Sequence, residues 1–296
     1  MPDAPHPVDF LVYGANGFLG SHFVRTLSAD GRSTFAAPSS DILDRSAVSR
    51  DLDAYRPRWV FCAAGLSGNP NIDWFETHRQ EGVRINVLAT LNVVDLCHMR
   101  NVHVTILGSG LVYQYDERHP LGSGAGFKET EPPNVQDGTY IKLRILLEQL
   151  LEMYTNVLHV RICYPISSAP HAKNLLSKLL RFKEIVSVPT SVTVIDELWP
   201  ILLDMCRRNL VGNFNFANPG VIENREILEL YKEHVDPRIE WRCASSGPNG
   251  GVARRPFAEL DVSKLLSEVG GEGISQVKEG VKKVMKSIRR PFLESD

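Results

Sequence analysis

The stretch Val8-Asp9-Phe10-Leu11-Val12-Tyr13-Gly14-Ala15-Asn16-Gly17-Phe18-Leu19-Gly20 decides how the rest of the chain is read. Val8 to Tyr13 is a short β-branched and aromatic run that stops at a glycine, and apolar residues at helical spacing follow from Phe18 to Leu27. A strand, a glycine turn and a helix in that order turn a common three-glycine pattern into a dinucleotide-binding signal. Gly14 permits the tight turn, Gly17 lets the backbone approach a pyrophosphate at the helix N-terminus, and Gly20 allows helix and strand to pack closely. Gly14, Asn16, Gly17, Phe18, Leu19 and Gly20 are therefore expected to hold the dinucleotide.

Outward from this turn, strand-like runs recur at 33–37, 58–63, 102–107 and 157–162, separated by helical stretches such as 80–99 and 139–154. The alternation predicts an α/β fold with a doubly wound parallel sheet, a Rossmann-type domain. Beyond Tyr164, shorter helices around 174–182, 196–209 and 223–234 predict a smaller α/β substrate-binding region. The expected division is a dinucleotide-binding domain over residues 1–165 and a mainly substrate-binding region over 166–296. Residues of about 190–217 are expected to return to the main sheet through the strand-like Asn213-Phe214-Asn215-Phe216. The last helix is expected to place Val277, Val281, Met285 and Ile288 on an apolar face and Lys278, Lys282, Lys286 and Arg290 on a solvated basic one.

Composition narrows the function. The 296 residues carry 33 Lys+Arg against 35 Asp+Glu, a formal net charge of −2, so no nucleic-acid partner is expected. No run approaches the roughly 18 uncharged apolar residues of a membrane span, and Met1 to Pro7 lacks the regions of a signal peptide. A soluble, cytoplasmic chain with no membrane partner is expected. Cys62, Cys97, Cys163, Cys206 and Cys243 form no CxxC pair, and the nine histidines show no metal-ligand spacing, so reduced, mostly buried thiols and no metal site are expected.

The second strand-like run ends Ala36-Ala37-Pro38-Ser39-Ser40, without the acidic residue that holds an NAD ribose. A 2′-phosphate is not repelled there, which tilts the expectation slightly from NADH to NADPH. Ser39, Asp41 and Ile42 are expected around the ribose and adenine, with a helix N-cap as the alternative for Asp41. Ala63-Ala64-Gly65 offers small residues against which a nicotinamide ring lies.

Ser109 follows a strand-like run, Tyr140 opens a helix, and Arg144 stands four residues on, on the same helix face. This arrangement resembles the extended, sugar-nucleotide branch of the short-chain dehydrogenase/reductase superfamily, and Arg84-Ile85-Asn86-Val87 looks like that branch's asparagine helix. Longer stretches narrow the likeness: Ala64-Gly65-Leu-Ser-Gly-Asn-Pro70-Asn71-Ile-Asp73-Trp74-Phe-Glu76-Thr-His78, the loop from Tyr115 to Glu129, Pro165-Ile-Ser-Ser168, Thr193-Val-Ile-Asp-Glu197, and Asn215-Phe-Ala-Asn218-Pro219-Gly220-Val221. They resemble the UDP-4-keto-6-deoxyglucose 3,5-epimerase/4-reductase family of UDP-L-rhamnose synthesis, from about Phe10 to Tyr231.

The resemblance implies an NAD(P)H-dependent reductase of a 4-keto sugar nucleotide, with 3,5-epimerisation as the family's second activity and UDP-L-rhamnose or a related UDP-6-deoxysugar as product. It implies Tyr140 as proton donor, Ser109 as its hydrogen-bond partner, Arg144 in the catalytic set and Lys178 as an epimerisation acid/base. Asn86, Tyr140, Arg144 and Pro165 would also border the cofactor. Asn71, Trp74, Glu76, Ser109, Asn174, Lys178, Asn218 and Arg255 would hold the UDP-sugar, with Arg255 clamping its phosphates bidentately. Extended members of the superfamily often dimerise, so a homodimer is the implied assembly.

The sequence departs from the family pattern twice. Arg144 stands where the family has lysine; it keeps the charge, has a different fork and cannot release a proton. A cation about 4 Å from the tyrosine, at an effective dielectric of about 20, would favour tyrosinate by up to about 4 kcal/mol. Leu111 stands where the family has a cysteine acid/base. Taking a proton from carbon α to a ketone needs an ionisable group, so reduction is expected ahead of two-base epimerisation, with His78 and His119 as alternative acid/bases. The competing reading is a catalytically weakened homologue that binds dinucleotide and sugar nucleotide as a regulatory subunit.

Overall fold

The structure, a computed structural model, describes residues 6–244 and 255–292. Met1 to Pro5, and Arg254 beside the expected phosphate clamp, lie outside the described residues. The chain begins with β1 (Phe10–Tyr13), α1 (Phe18–Asp30), β2 (Phe35–Ala36), α2 (Arg45–Tyr55) and β3 (Trp59–Cys62). A 3₁₀ turn over Ile72–Glu76 leads to α3 (Arg79–Val83), a π-helical turn over Arg84–Leu88 and α4 (Ala89–His98). Then come β4 (His103–Ser109), α5 (Thr139–Leu151), β5 (Val157–Ile162), α6 (Leu175–Leu179), β6 (Glu184–Ile185), α7 (Ile195–Arg207) and β7 (Gly212–Phe216). The last elements are α8 (Asn224–His234), β8 (Arg242–Cys243), α9 (Ser263–Val269) and α10 (Val277–Ser287).

Six strands form one sheet in the order β2-β1-β3-β4-β5-β7, and β1 runs parallel to both β2 and β3, as β3 does to β4. Strand order reverses between β1 and β3, the point outside whose carboxyl ends open α/β sheets bind ligands. The Gly14 turn and the Ala63-Ala64-Gly65 loop are those two carboxyl ends.

Two compact units divide the described chain. The first takes its residues from Met1–Gly108, Gln136–Val160 and Trp199–Asn213, the second from Ser109–Val135, Arg161–Leu198 and Phe214–Asp296. Leu11, Tyr13, Val60, Val93, Val104, Ile106 and Leu147 belong to one buried cluster of the first unit. Ile166, Leu176, Val194, Ile227, Tyr231, Val281 and Met285 belong to the cluster of the second, which also carries the two-stranded β6–β8 pair. At about 1.5–3 kcal/mol per large apolar side chain removed from water, such clusters supply the main stabilisation of each unit.

Local details differ from the sequence expectations for physical reasons. The helix expected over 80–99 is interrupted by the π turn, and α6 is five residues long rather than reaching 182. Pro291 disfavours helical backbone at Arg290, so α10 ends at Ser287 and leaves Ile288, extended at φ −74° and ψ 120°, and Arg290 outside it. Asp44, not Asp41, caps α2 by accepting the Ser46 and Ala47 N–H groups. Cys62, Cys97, Cys163 and Cys206 are buried free thiols and Cys243 is an exposed one. Among the described residues no helix is long and apolar enough to cross a membrane, and no His/Cys/Asp/Glu group is arranged to hold a metal ion.

One ion pair ties the end of α1 to α7: Asp30 accepts from the Arg207 guanidinium, with Nη1 at 3.2 Å, and from Arg32. These hydrogen bonds hold the Asp30 carboxyl well below the usual carboxylate range. A depressed carboxyl stabilises the fold above its unfolded value, near 3.9, and loses that contribution as the pH falls through its folded value. Arg207→Ala is expected to lower the melting temperature at pH 7 by about 2–4 °C. In thermal melts followed by circular dichroism, the gap to the parent narrows steadily as the pH is taken below 4.

Candidate functional site

Around the glycine turn the backbone leaves no room for side chains. Gly14 sits at φ +75°, and a Cβ there would lie 2.5 Å from the Ala64 nitrogen. On Gly20 a Cβ would run into the Gly14 carbonyl oxygen, so the close packing that Gly20 permits is onto the turn itself. Gly17 has an ordinary φ of −77° and caps α1 without a side chain, and no acidic residue stands in the first turn. The uncapped N–H groups and the positive end of the helix dipole are thus left to an anion. Asn16 is exposed, Phe18 is buried, and Leu19 gives its carbonyl to the Trp199 indole N–H at 3.1 Å.

Beyond β2, Ser39 and Asp41 are exposed, whereas the Ile42 side chain is built into the first unit's core and its carbonyl accepts from Asn92. Asn86 lies in the π turn, 1% exposed. Its Oδ1 accepts the Leu66 N–H at 2.7 Å and its Nδ2 donates to the Leu66 carbonyl at 3.0 Å, pinning the loop after Ala63-Ala64-Gly65. Isolated π turns inside helices recur at functional sites because they re-aim one side chain.

Tyr140 is the second residue of α5 and 9% exposed, its ring tilted against that of Phe75 at 5.2 Å. The Arg144 guanidinium carbon lies 5.1 Å from the Tyr140 ring centroid. The cation therefore sits over the tyrosine ring, on the helix face that the four-residue spacing predicts. Arg144 Nη1 is 3.5 Å from the Leu107 carbonyl, and Nε is buried with no hydrogen-bond partner. That orphaned donor and the side-chain-free cradle at Gly14 and Gly20 fit a dinucleotide, whose ribose hydroxyls and pyrophosphate are acceptors.

The substrate-side stretch of the first unit is tightly engaged. Asn71 caps the 3₁₀ turn, accepting the Asp73 N–H at 2.8 Å. The Trp74 ring stacks on His78 at 4.1 Å and meets Phe75 edge-on at 5.1 Å, and His78 Nδ1 is 2.9 Å from the Trp74 carbonyl oxygen. Glu76, expected on the substrate, instead gives both carboxylate oxygens to Thr139 at the start of α5, at 2.7 Å from the N–H and 3.0 Å from the hydroxyl.

In the second unit, Ser109 ends β4, buried, with its Oγ accepting the Leu111 N–H at 3.2 Å. Gly110 packs against the Cys163 sulfur, and burial pushes that thiol up to about 12, so it stays protonated at neutral pH. Pro165 accepts the Leu175 N–H through its carbonyl at 3.0 Å. Asn174 and Asn218, expected on the substrate, are both 0% exposed and bind their own chain through their carboxamides. Asn174 caps α6 through the Leu176 N–H and donates to the Ser167 and Ala169 carbonyls at 2.8 Å each. Asn218 accepts the Val194 N–H and donates to Glu197, both at 2.9 Å.

Lys178 keeps solvent exposure on α6, yet its ammonium is held below the ordinary lysine value, first by partial desolvation and then by the cations Lys173 and Arg255. Three positive groups that repel one another suit a diphosphate. His119 is placed differently from its expected acid/base role: its nitrogens lie 3.1 Å from Asp116 and Glu131 carboxylate oxygens, and its ring stacks on Phe127 at 3.7 Å. Sequence reasoning missed Lys173, Phe75 and the link from Glu76 to Thr139. One signal for the last was available, since Gly138 precedes Thr139 where a capping side chain normally stands.

Residues 10–180 match the model of the NAD dependent epimerase/dehydratase family. The chain is 39% identical over 263 residues to a bifunctional dTDP-4-dehydrorhamnose 3,5-epimerase/dTDP-4-dehydrorhamnose reductase of Arabidopsis thaliana, covering 88% of this chain and 87% of that one. It is 37% identical over 262 residues to a trifunctional UDP-glucose 4,6-dehydratase/UDP-4-keto-6-deoxy-D-glucose 3,5-epimerase/UDP-4-keto-L-rhamnose-reductase of the same plant, 88% of this chain against 39% of that longer protein. The crystal structure of a UDP-rhamnose synthase from Acanthamoeba polyphaga mimivirus superposes with a TM-score of 0.88 at 26% identity, over 95% of this chain and 100% of that one.

Asn86→Ala removes both bonds to Leu66 and leaves that backbone unsatisfied, for an expected loss of about 1–3 kcal/mol. Thermal melts would read the loss, and a fluorescence titration with reduced dinucleotide would show weakened binding.

Proposed function

The chain belongs to the NAD dependent epimerase/dehydratase family and, within it, to the UDP-4-keto-6-deoxyglucose epimerase/reductase group, and from that premise we propose that it is an NAD(P)H-dependent 4-keto reductase of a UDP-6-deoxysugar. The observation that carries this reading is the first turn of α5, where buried Tyr140 stands one turn from a cation held over its ring. The nicotinamide, when bound, supplies hydride to C4 of the keto sugar. Tyr140 donates its hydroxyl proton to the carbonyl oxygen as the negative charge forms there. Its ring is held by Phe75 and Arg144, which fixes the direction of the hydroxyl, and proton transfer from a positioned group contributes about 10²–10⁴-fold.

Ser109, whose Oγ accepts from Leu111, keeps its own proton to donate to a carbonyl oxygen. Arg144 turns its unpaired Nε to ribose hydroxyls and holds charge beside the tyrosine, but it never releases a proton. Lys173, Lys178 and Arg255 hold the diphosphate. For epimerisation Lys178 is the aligned acid/base: Leu111 has no ionisable group and burial keeps Cys163 protonated, so proton exchange at C3 and C5 is slow beside reduction. The absence of a carboxylate from Ala36 to Ser40 favours NADPH. The chain acts as a cytoplasmic homodimer; the apolar side chains of Val83, Leu88 and Leu146, left exposed on the α3–α4 stretch and on α5, support the pairing.

The test is oxidation of NADPH and NADH with UDP-4-keto-6-deoxyglucose in D₂O, with product configuration and deuterium at C3 and C5 read by NMR. Oxidation with little label is expected, and Leu111→Cys is expected to raise the label. Tyr140→Phe should lower kcat about 10²–10⁴-fold. Arg144→Lys should raise it about tenfold, a change of about 1.4 kcal/mol in the barrier. Tight dinucleotide binding without oxidation would overturn the reductase reading in favour of a regulatory subunit.

A further inference from the structure

We propose that Glu76 is the positioning residue for Tyr140: from the 3₁₀ turn at Ile72–Glu76 it supplies the N-terminal cap that α5 lacks, and so sets where the tyrosine hydroxyl stands. The inference rests on the reading of Tyr140 as proton donor.

A 13-residue helix opens at Thr139 with no cap of its own. Gly138, at φ +94°, has no side chain to offer, and no acidic residue lies in the first turn. The first N–H groups of such a helix need acceptors from elsewhere. Glu76, 63 residues upstream, meets the need with both oxygens, one on the Thr139 N–H at 2.7 Å and one on the Thr139 hydroxyl at 3.0 Å. A carboxylate there stands at the positive end of the helix, where negative charge is favoured. Arg79, 3.7 Å away and largely exposed, is its charge partner.

The same turn grips the tyrosine a second time. Phe75, 0% exposed, lies against the Tyr140 ring, and it is backed by Gly82, where a Cβ would come within 2.8 Å of both Phe75 and Leu143. One short turn thus fixes Tyr140 through the backbone of Thr139 and through its ring. Asn71 and Trp74 belong to this segment as well, so a ligand that shifts it shifts the proton donor.

Single-turnover hydride transfer, steady-state kinetics and amide hydrogen exchange of Glu76→Ala, Glu76→Gln and Asp44→Ala test the proposal. The last variant removes the side-chain cap of α2 and serves as the stability control. Glu76→Ala should slow hydride transfer by about 10²-fold at saturation, as misplacement of a reacting group by about 1 Å does. KM should stay within about threefold, and the first-turn amides of α5 should exchange faster. Glu76→Gln, which keeps one acceptor, should recover most of the rate, and Asp44→Ala should lower the melting temperature without slowing transfer. An unchanged rate in Glu76→Ala would make Glu76 a structural cap, and a raised KM at constant kcat would make it a substrate ligand; either result overturns the proposal. Should the parent chain not turn over, the reductase reading fails, while unchanged exchange protection in Glu76→Ala would still overturn the clamp.

Discussion

Three backbones crowd around the Gly14 carbonyl, and everything proposed for the first unit depends on there being no side chain among them. The turn after β1, the first helical turn of α1 and the loop after β3 approach within the space a Cβ would need at Gly14 and at Gly20. Because they do, α1 points its uncapped N-terminus out of the sheet's carboxyl edge, and the small residues at 63–65 lie beside it. Asn86 secures the third backbone from a distance by binding both polar groups of Leu66. A cradle for a diphosphate is then a property of main chain alone, which is why it tolerates the exposed Asn16 and a strand β2 of only two residues.

The features legible in the sequence are the local ones. The glycine turn, the alternation that builds the parallel sheet, and the pairing of Tyr140 with Arg144 all rest on spacings of four residues or fewer, or on the two periodicities of secondary structure. What escaped depends on tertiary neighbours. Asn174 and Asn218 stand in motifs that read as ligand contacts, but a carboxamide looks the same in sequence whether its donors face a ligand or the carbonyls of Ser167 and Ala169. His119 likewise gives no hint that two carboxylates from its own loop region will enclose it. Arg144 keeps the expected helix face, with its guanidinium over the tyrosine ring.

In the second unit, charge distribution matters more than any single contact. Lys173 and Arg255 lower the proton affinity of Lys178, so the three cations oppose one another until an anion joins them. A diphosphate among them would relieve that repulsion and favour the charged ammonium, which partial desolvation first and the two cations second disfavour. Burial pushes the Cys163 thiol up to about 12, outweighing the nearby Arg161 cation, and Leu111 has no ionisable group.

The π turn at Arg84–Leu88 carries a different kind of consequence. Relative to uninterrupted α-helix it behaves as a single inserted residue, and each residue of α-helix rotates the chain by about 100°. Deleting one residue from this stretch would cost little in helix propensity, since the remaining residues would regularise. The flanking helical segments would keep close to their present register, while the residues inside the turn, Asn86 among them, would take new directions. For a chain that must hold Leu66 by a single carboxamide, length over these five positions is therefore as constrained as identity, and a substitution is tolerated there more readily than a gap.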